Sequence, residues 1–532
     1  MAVRDVVADR SPGQPHRGEA PASPVRARPL ELGAVALATV LTLGLCLHGL
    51  GSRSRWLDEA AHVVIAQQRG AAFWRGIAGD GGNQALYDML LRVVTGLFGI
   101  SPFVVRLPSA LAAAATVPVS YALTRQLFDA RAAVIGAFVV GVSLPLVYWG
   151  QSADGYAIGV MLATACCYAF VRVLDGAGRV ALVVYVVVTM LMLYTLMLTG
   201  LVLAAQAVSL AFRGRGATPW RRLVSGGAAI AVLSVPLALL ATAHGTADID
   251  WLSPPTTAFE HDALRALTSA GNAPEYPPVT GTSTLLVIVT LVLWLAGAAV
   301  LGYRLSRRDK SRAAFAPAFL VCWLVVPVVA DYLVSVAAQP IFITRYLLTS
   351  LPAASLLAAV VLSRVRPVAL AAVAAAGLVV LRLVQIPPSY GKSTEEWRTP
   401  TAYVLEQTRA GDCVAFFVDD SRMPFEYYLR QGPARPLLPR PILPPLGWSA
   451  NPVEVEVSTP IAASALPLVV AGCDRVFVVA SHDGFPNGTP TQQVTYARYV
   501  RMIAELRAHY ALPQSVDFGT VTVWTFSRTA TP

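Results

Sequence analysis

Four short stretches of the chain hold residues suited to acid–base or anion chemistry. The first, Trp56-Leu57-Asp58-Glu59, follows the first long apolar run and is continued by Ala60, Ala61 and His62. A helix starting near Asp58 places His62 one turn on, on the same face. Acids in a first turn equally suit a plain helix N-terminus. In the second, Gln151-Ser152-Ala153-Asp154-Gly155-Tyr156, Asp154 either caps the next helix or acts with Asp58. Two carboxylates on one side of a membrane can share base and substrate-orienting work. The third, Thr344-Arg345-Tyr346, opens a late apolar run. An Arg there either snorkels or offers a phosphate a permanent, bidentate charge. The fourth, Asn83-Gln84-Ala85-Leu86-Tyr87-Asp88, offers Tyr87 as a belt aromatic or as a hydroxyl donor to a headgroup. Together they describe a membrane enzyme or transporter with an outward-facing polar site for an anionic lipid and a nucleophilic hydroxyl.

The elements that must carry these residues are apolar. Of 532 residues, 55% are hydrophobic and 14% charged, against about 25% charged in a typical soluble domain. This excludes a soluble enzyme, a disordered chain and a coiled coil. Apolar runs near the ~20 residues needed to span a bilayer fall at 30–50, 104–124, 132–150, 156–172, 180–195, 199–212, 223–242, 282–304, 313–336, 344–363 and 368–386. The expected fold class is a polytopic α-helical membrane protein of about 11 spans with a C-terminal exofacial α/β domain. The expected divisions are a disordered cytoplasmic tail, 1–29, a transmembrane domain, 30–386, with outer loops 51–103 and 243–281, and an extracytoplasmic domain, 387–532. Within the first outer loop, Leu86–Phe98 is amphipathic and predicted to lie along the membrane surface. In the last region Val414–Val418, Arg475–Ala480 and Thr520–Phe526 read as strands, and Thr399–Thr408 and Val494–His509 as helices.

The net charge of +10 suits either nucleic acid or a membrane topology signal. Its placement decides. With a cytoplasmic N-terminus, the inner segments hold twenty Lys and Arg against seven acids, and the short outer loops 151–155, 196–198 and 337–343 hold no Lys or Arg. That is the positive-inside pattern, and no nucleic-acid partner is expected. The 39 Arg against two Lys point to a GC-rich bacterial genome.

Cys46, Cys166, Cys167 and Cys322 lie in apolar runs and read as small buried hydrophobes. Cys413 and Cys473 each precede a predicted strand. Parallel neighbouring strands would bring them within disulfide reach, and an exofacial domain permits oxidation; the alternative is two separate thiols. Glu260, His261 and Asp262 cluster in the second outer loop. Neighbours in sequence point apart on a helix, which favours a solvated polar loop over a chelate. No cofactor is assigned, and a divalent metal stays an open alternative.

Asp58-Glu59 after the first span resembles the Asp-Glu signature of the GT-C superfamily of membrane glycosyltransferases. Leu86 to Arg92, Val105 to Ala110, Leu127-Phe128 and Gln151 to Tyr156 extend the likeness to its protein O-mannosyltransferase and aminoarabinose transferase branch. So do Ile343 to Leu348, Leu351-Pro352, Glu396-Trp397-Arg398, Gly411 to Val414 and Tyr427-Tyr428. The resemblance implies transfer of a sugar from a polyprenyl-phosphate donor to a hydroxyl acceptor of the cell envelope, with inversion, on the outer face of a bacterial cytoplasmic membrane. It makes Asp58 the general base and Arg345 the leaving-group clamp, with Glu59, Asp154, Tyr87, Tyr346 and His62 as substrate contacts. Gln151 to Tyr156 departs from the Gln-Glu-Ala-Arg-Met-Tyr of many relatives, with Asp154 where they carry Arg. A transporter or lipid flippase is the alternative; it would favour repeated halves and mid-membrane charges, whereas the chain shows no repeats and its key acids lie at the outer edge. A non-catalytic assembly protein is a third reading.

Overall fold

A computed structural model describes residues 28–246, 249–271, 281–307, 311–448 and 466–528. Residues 1–27 of the expected tail lie outside the described residues. The helices up to the sheet are α1 (Pro29–Leu47), α2 (Leu57–Gln67), α3 (Ala71–Gly79), α4 (Ala85–Phe98), α5 (Pro102–Leu127), α6 (Ala130–Gly141), α7 (Leu144–Trp149), α8 (Tyr156–Leu174), α9 (Gly178–Thr195), α10 (Leu201–Ser209), α11 (Trp220–Leu233), α12 (Val235–His244), α13 (Thr257–Thr268), α14 (Thr282–Ser306), α15 (Arg312–Ala337), α16 (Leu351–Ser363), α17 (Val368–Gln385) and α18 (Arg398–Gln407). A 3-10 turn, Thr344–Ser350, leads into α16.

Among the described residues, eight helical segments are long and apolar enough to cross a membrane, and the bent pair α11–α12 makes a ninth. The 43° bend falls next to Pro236, which has no N–H to continue the ladder. Two expected spans come out short. The run 132–150 is not one helix: it breaks between α6 and α7, where Pro145 stands at the start of α7. The run 199–212 forms the short, partly 3-10 helix Met197–Phe212. Segment Thr344–Ser363 and α8 are the most enclosed, while α1 and α14 present most of their surface outward. Exposed Leu37, Val40, Val292 and Leu295 on those outer helices are what a lipid-facing rim requires.

Close approach of α1 and α6 requires glycine: a Cβ on Gly141 would lie 2.3 Å from Thr42 Oγ1, which donates to the Gly141 carbonyl. In α4 the buried face carries Ala85, Tyr87, Asp88 and Leu91, while Leu90, Val93, Leu97 and Phe98 are exposed. That two-faced pattern suits the interfacial position expected of it.

The C-terminal region is a five-stranded sheet of β1 (Cys413–Phe417), β2 (Arg440–Leu443), β3 (Arg475–Ala480), β4 (Ala511–Asp517) and β5 (Thr522–Ser527), in the order β2-β1-β3-β5-β4. The β2-β1-β3 part is parallel; β5 and β4 add antiparallel pairs. Alternation along β1 splits its side chains. Cys413, Ala415 and Phe417 face Met502, Ile503 and Leu506 of helix Pro490–His509. Val414 and Phe416 face Trp397, Val404 and Phe425, from α18, its N-terminal flank and α19 (Arg422–Gln431). Cys413 and Cys473 form a disulfide beside the parallel β1–β3 pair.

The sheet domain rests on the first outer loop. Trp397 N donates to Ser54 Oγ (2.8 Å), Arg55 N donates to Tyr428 Oη (2.8 Å), and the Arg55 guanidinium lies 3.9 Å from the Tyr427 ring centre. Met423 of α19 packs on Ala60 and Val64 of α2.

Candidate active site

Helix α2 begins directly after the strap 50–56 and carries three of the expected site residues. Glu59, expected as a substrate contact, is instead turned inward. It is 1% exposed and forms a two-pronged pair with Arg106, at 2.8 Å (Nε–Oε1) and 2.6 Å (NH2–Oε2). It also accepts the Ala153 amide at 2.6 Å. Burial alone would raise its pKa, but Arg106 outweighs burial and holds the carboxyl at about 2. Arg106 donates further to the carbonyls of Leu50, Arg53 and Ser54, so this one cation fastens the strap. Sequence reading gave Arg106 no role. The available signal was a charge one turn into an apolar span, which is retained only when paired.

His62 and Tyr87, also expected as substrate contacts, are likewise enclosed. The His62 ring lies between two carboxylates, with Nδ1 2.7 Å from Asp88 Oδ1 and Nε2 3.5 Å from Asp154 Oδ1. Burial disfavours the imidazolium, yet Asp88 and Asp154 raise its pKa well above the ordinary value. Tyr87 packs edge-on against His62 and is 1% exposed. Asp154 is fully buried; its Oδ2 accepts from Ser152 Oγ at 2.5 Å. Its helix start is fixed from the first outer loop, since Gly155 N donates to Gln84 Oε1 at 2.6 Å. A Cβ on Gly155 would meet that oxygen at 2.7 Å, so the contact needs glycine. Gln151 Nε2 donates to the carbonyls of Cys46 and His48 and closes the end of α1.

Asp58 differs from its neighbours. It is half-buried, and its carboxylate accepts no hydrogen bond among the described residues. Burial raises its pKa to about 6, reinforced by Asp154 and Glu395 and opposed by Arg345 and His62. Arg345, from the 3-10 turn before α16, is half-buried, with its guanidinium 5.5 Å from the Trp56 ring centre and 5.7 Å from that of Tyr346. The polar centre thus holds a carboxylate with a raised pKa, a cation framed by aromatic rings, and a rigid buried ionic frame behind them.

Opposite this end of the bundle, the turns between spans are basic. Arg312 pairs with Asp175 at 2.5 Å, Arg364 with Asp129 at 3.3 Å, and Arg125 with Glu31 at 3.3 Å. Glu260, His261 and Asp262 lie on α13; Glu260 accepts from Tyr332, and Asp262 faces Arg265. Among the described residues no three His, Cys, Asp or Glu side chains gather as a metal site.

Residues 85–239 match the family model described as dolichyl-phosphate-mannose-protein mannosyltransferase. Two crystal structures of ArnT from Cupriavidus metallidurans resemble the whole fold. The apo form has a TM-score of 0.57 at 16% identity, covering 93% of this chain and 98% of that one. The form bound to undecaprenyl phosphate gives 0.56 at 15%, covering 94% and 98%. The apo oligosaccharyltransferase of Archaeoglobus fulgidus gives 0.54 at 13%, covering 85% and 70%. No curated protein sequence matches the chain. The fold is therefore the one that ArnT and the oligosaccharyltransferase share, and it agrees with the resemblance carried by the Asp58-Glu59 and later motifs. The chain is a multi-pass membrane protein with a C-terminal sheet domain, and it shares this fold with those structures.

Proposed function

We propose that the chain moves a sugar from a polyprenyl-phosphate donor to a hydroxyl acceptor, with inversion, on the outer face of a bacterial cytoplasmic membrane. The observation that carries this reading is Asp58. It is the acid of the centre left without a hydrogen-bond partner among the described residues, with a pKa raised to about 6 by burial and neighbouring carboxylates. A base near the working pH takes up a proton most usefully. In the proposed step the acceptor O–H gives its proton to Asp58, and its oxygen bonds to the anomeric carbon. The bond from that carbon to the phosphate oxygen breaks. Polyprenyl phosphate leaves with the electron pair, its charge met by Arg345. Tyr346 and Trp56 flank that cation, and Glu59, His62, Tyr87 and Asp154 hold the frame. The resemblance to a protein crystallised with undecaprenyl phosphate supports the donor class. The basic turns at the opposite end and the disulfide of the sheet domain support an extracytoplasmic site.

The test is turnover by the purified chain given polyprenyl-phosphate mannose, arabinose or glucose with a membrane extract, with released polyprenyl phosphate measured. Release that requires both the extract and Arg345 supports the reading. No release with any donor refutes it.

A further inference from the structure

The sheet domain brings two residues to α2 that sequence reading did not single out, Glu395 and His482. Glu395 is 3% exposed. Its Oε2 accepts the backbone N–H of Leu57 at 3.2 Å, at the first residue of α2 and next to Asp58. The same oxygen accepts Trp397 Nε1 at 2.5 Å. Its Oε1 lies 3.1 Å from His482 Nε2. The other ring nitrogen of His482 is 3.0 Å from Ser481 Oγ.

The position of His482 is set by the sheet. The β1–β3 ladder continues one residue past β3, where Ser481 N donates to the Phe417 carbonyl and Val418 N donates to the Ser481 carbonyl. The chain then turns sharply, and His482 takes φ 55°, one of three non-glycine residues in that region among those described. A side chain held in the left-handed region is kept there by its surroundings. The turn delivers the imidazole to Glu395 rather than to solvent alone. Trp56, the N-cap of α2, makes no side-chain cap bond, so Glu395 performs the capping from another domain.

We infer that His482, acting through Glu395, is a positioning residue for the proposed base: the sheet domain latches the first turn of α2 and so sets where Asp58 points. This rests on Asp58 acting as the base. The charged groups around the latch are Glu395, Asp58 and Asp420 facing His482, and Arg345, Asp154, His62 and Glu395 facing Asp58. Burial lowers the His482 pKa, but Glu395, with Asp58 and Asp420, raises it above the ordinary value overall. The latch is therefore strongest with a charged imidazole and loosens as pH rises through that raised pKa.

The experiment compares the full-length wild type with His482→Ala and His482→Gln. Hydrogen exchange of the segment spanning Leu57 is read without substrate, alongside the pH profile of turnover. Alanine is expected to speed exchange at Leu57 by about tenfold or more, as a held amide opens. It should lower kcat about tenfold while donor KM stays within about twofold, the mark of lost positioning rather than lost binding. Without the neighbouring cation, the acid limb of the profile should move up by about half a unit. Glutamine, which can still donate to Glu395, should return exchange towards wild type but leave the limb displaced. Wild-type exchange at Leu57 in the alanine variant overturns the inference. So does faster exchange with an unmoved kcat and profile, which would make the contact structural only. Absence of turnover in the wild type defeats the proposed function instead, and the exchange comparison still decides the latch.

Discussion

Replacing Asp58 by Asn tests the reasoning about the base from two directions, because chemistry and stability should move oppositely. The carboxyl rises from an ordinary 3.8 to about 6 in the fold. That difference makes ionisation cost about 3 kcal/mol more in the folded than in the unfolded chain. Asp58 is only half-buried, so solvent screening reduces the expected figure to about 1–2 kcal/mol. The sign follows from the direction of the shift. A raised carboxyl pKa means that the fold prefers the proton, so the penalty is absent below pH 3.8 and fully present above about 6. Asn carries no charge and escapes it. The variant should therefore melt higher than wild type in detergent at pH 8 and match it at pH 4. Its transfer rate should fall by about 10²–10⁴, the usual worth of a positioned base. Wild-type kcat/KM should rise with pH through about 6 and then level, since the ionised form is the base. An Asn variant that keeps a tenth of the activity, or melts lower at pH 8, would refute the assignment.

Three further outcomes follow from the buried frame and the sheet-domain disulfide. Arg106→Ala strands Glu59 as a buried charge and should cost about 3–5 kcal/mol, seen as loss of monodisperse protein in detergent; adding Glu59→Gln should recover part of it. His62→Ala leaves Asp88 and Asp154 facing each other without a cation. Because the His62 pKa is raised, its stabilisation is complete below about pH 6.5 and is lost only above its folded pKa, so the variant should melt lower than wild type at pH 6, and Asp88→Asn should partly restore it. Cys413→Ala removes a link closing 60 residues and should cost about 4 kcal/mol, read as faster proteolysis of the sheet domain.

The division between what was legible and what was not has a physical basis. Apolar run length and the side of each basic loop are local properties, and they carried the spans and the grouping of Asp58, Asp154 and Arg345 at one end. Strand alternation is also local, which is why the strands at 413, 475 and 522 were read within two residues of their starts and the Cys413–Cys473 pairing could be foreseen as one of two outcomes. The break before Pro145 was missed because a proline near a helix start and a proline inside a span look alike in sequence.

By itself, then, the sequence determined that the chain crosses a membrane many times and which polar residues collect at one end of the bundle. Only the tertiary structure decided which acids remain available. Asp58 and Glu59 are adjacent in the chain, yet Arg106, 47 residues away, engages one and leaves the other open. Glu395 reaches α2 from 338 residues away. Whether a carboxylate is a base or a brace depends on the donors around it and the water excluded from it, and those are fixed by packing between distant segments rather than by spacing along one.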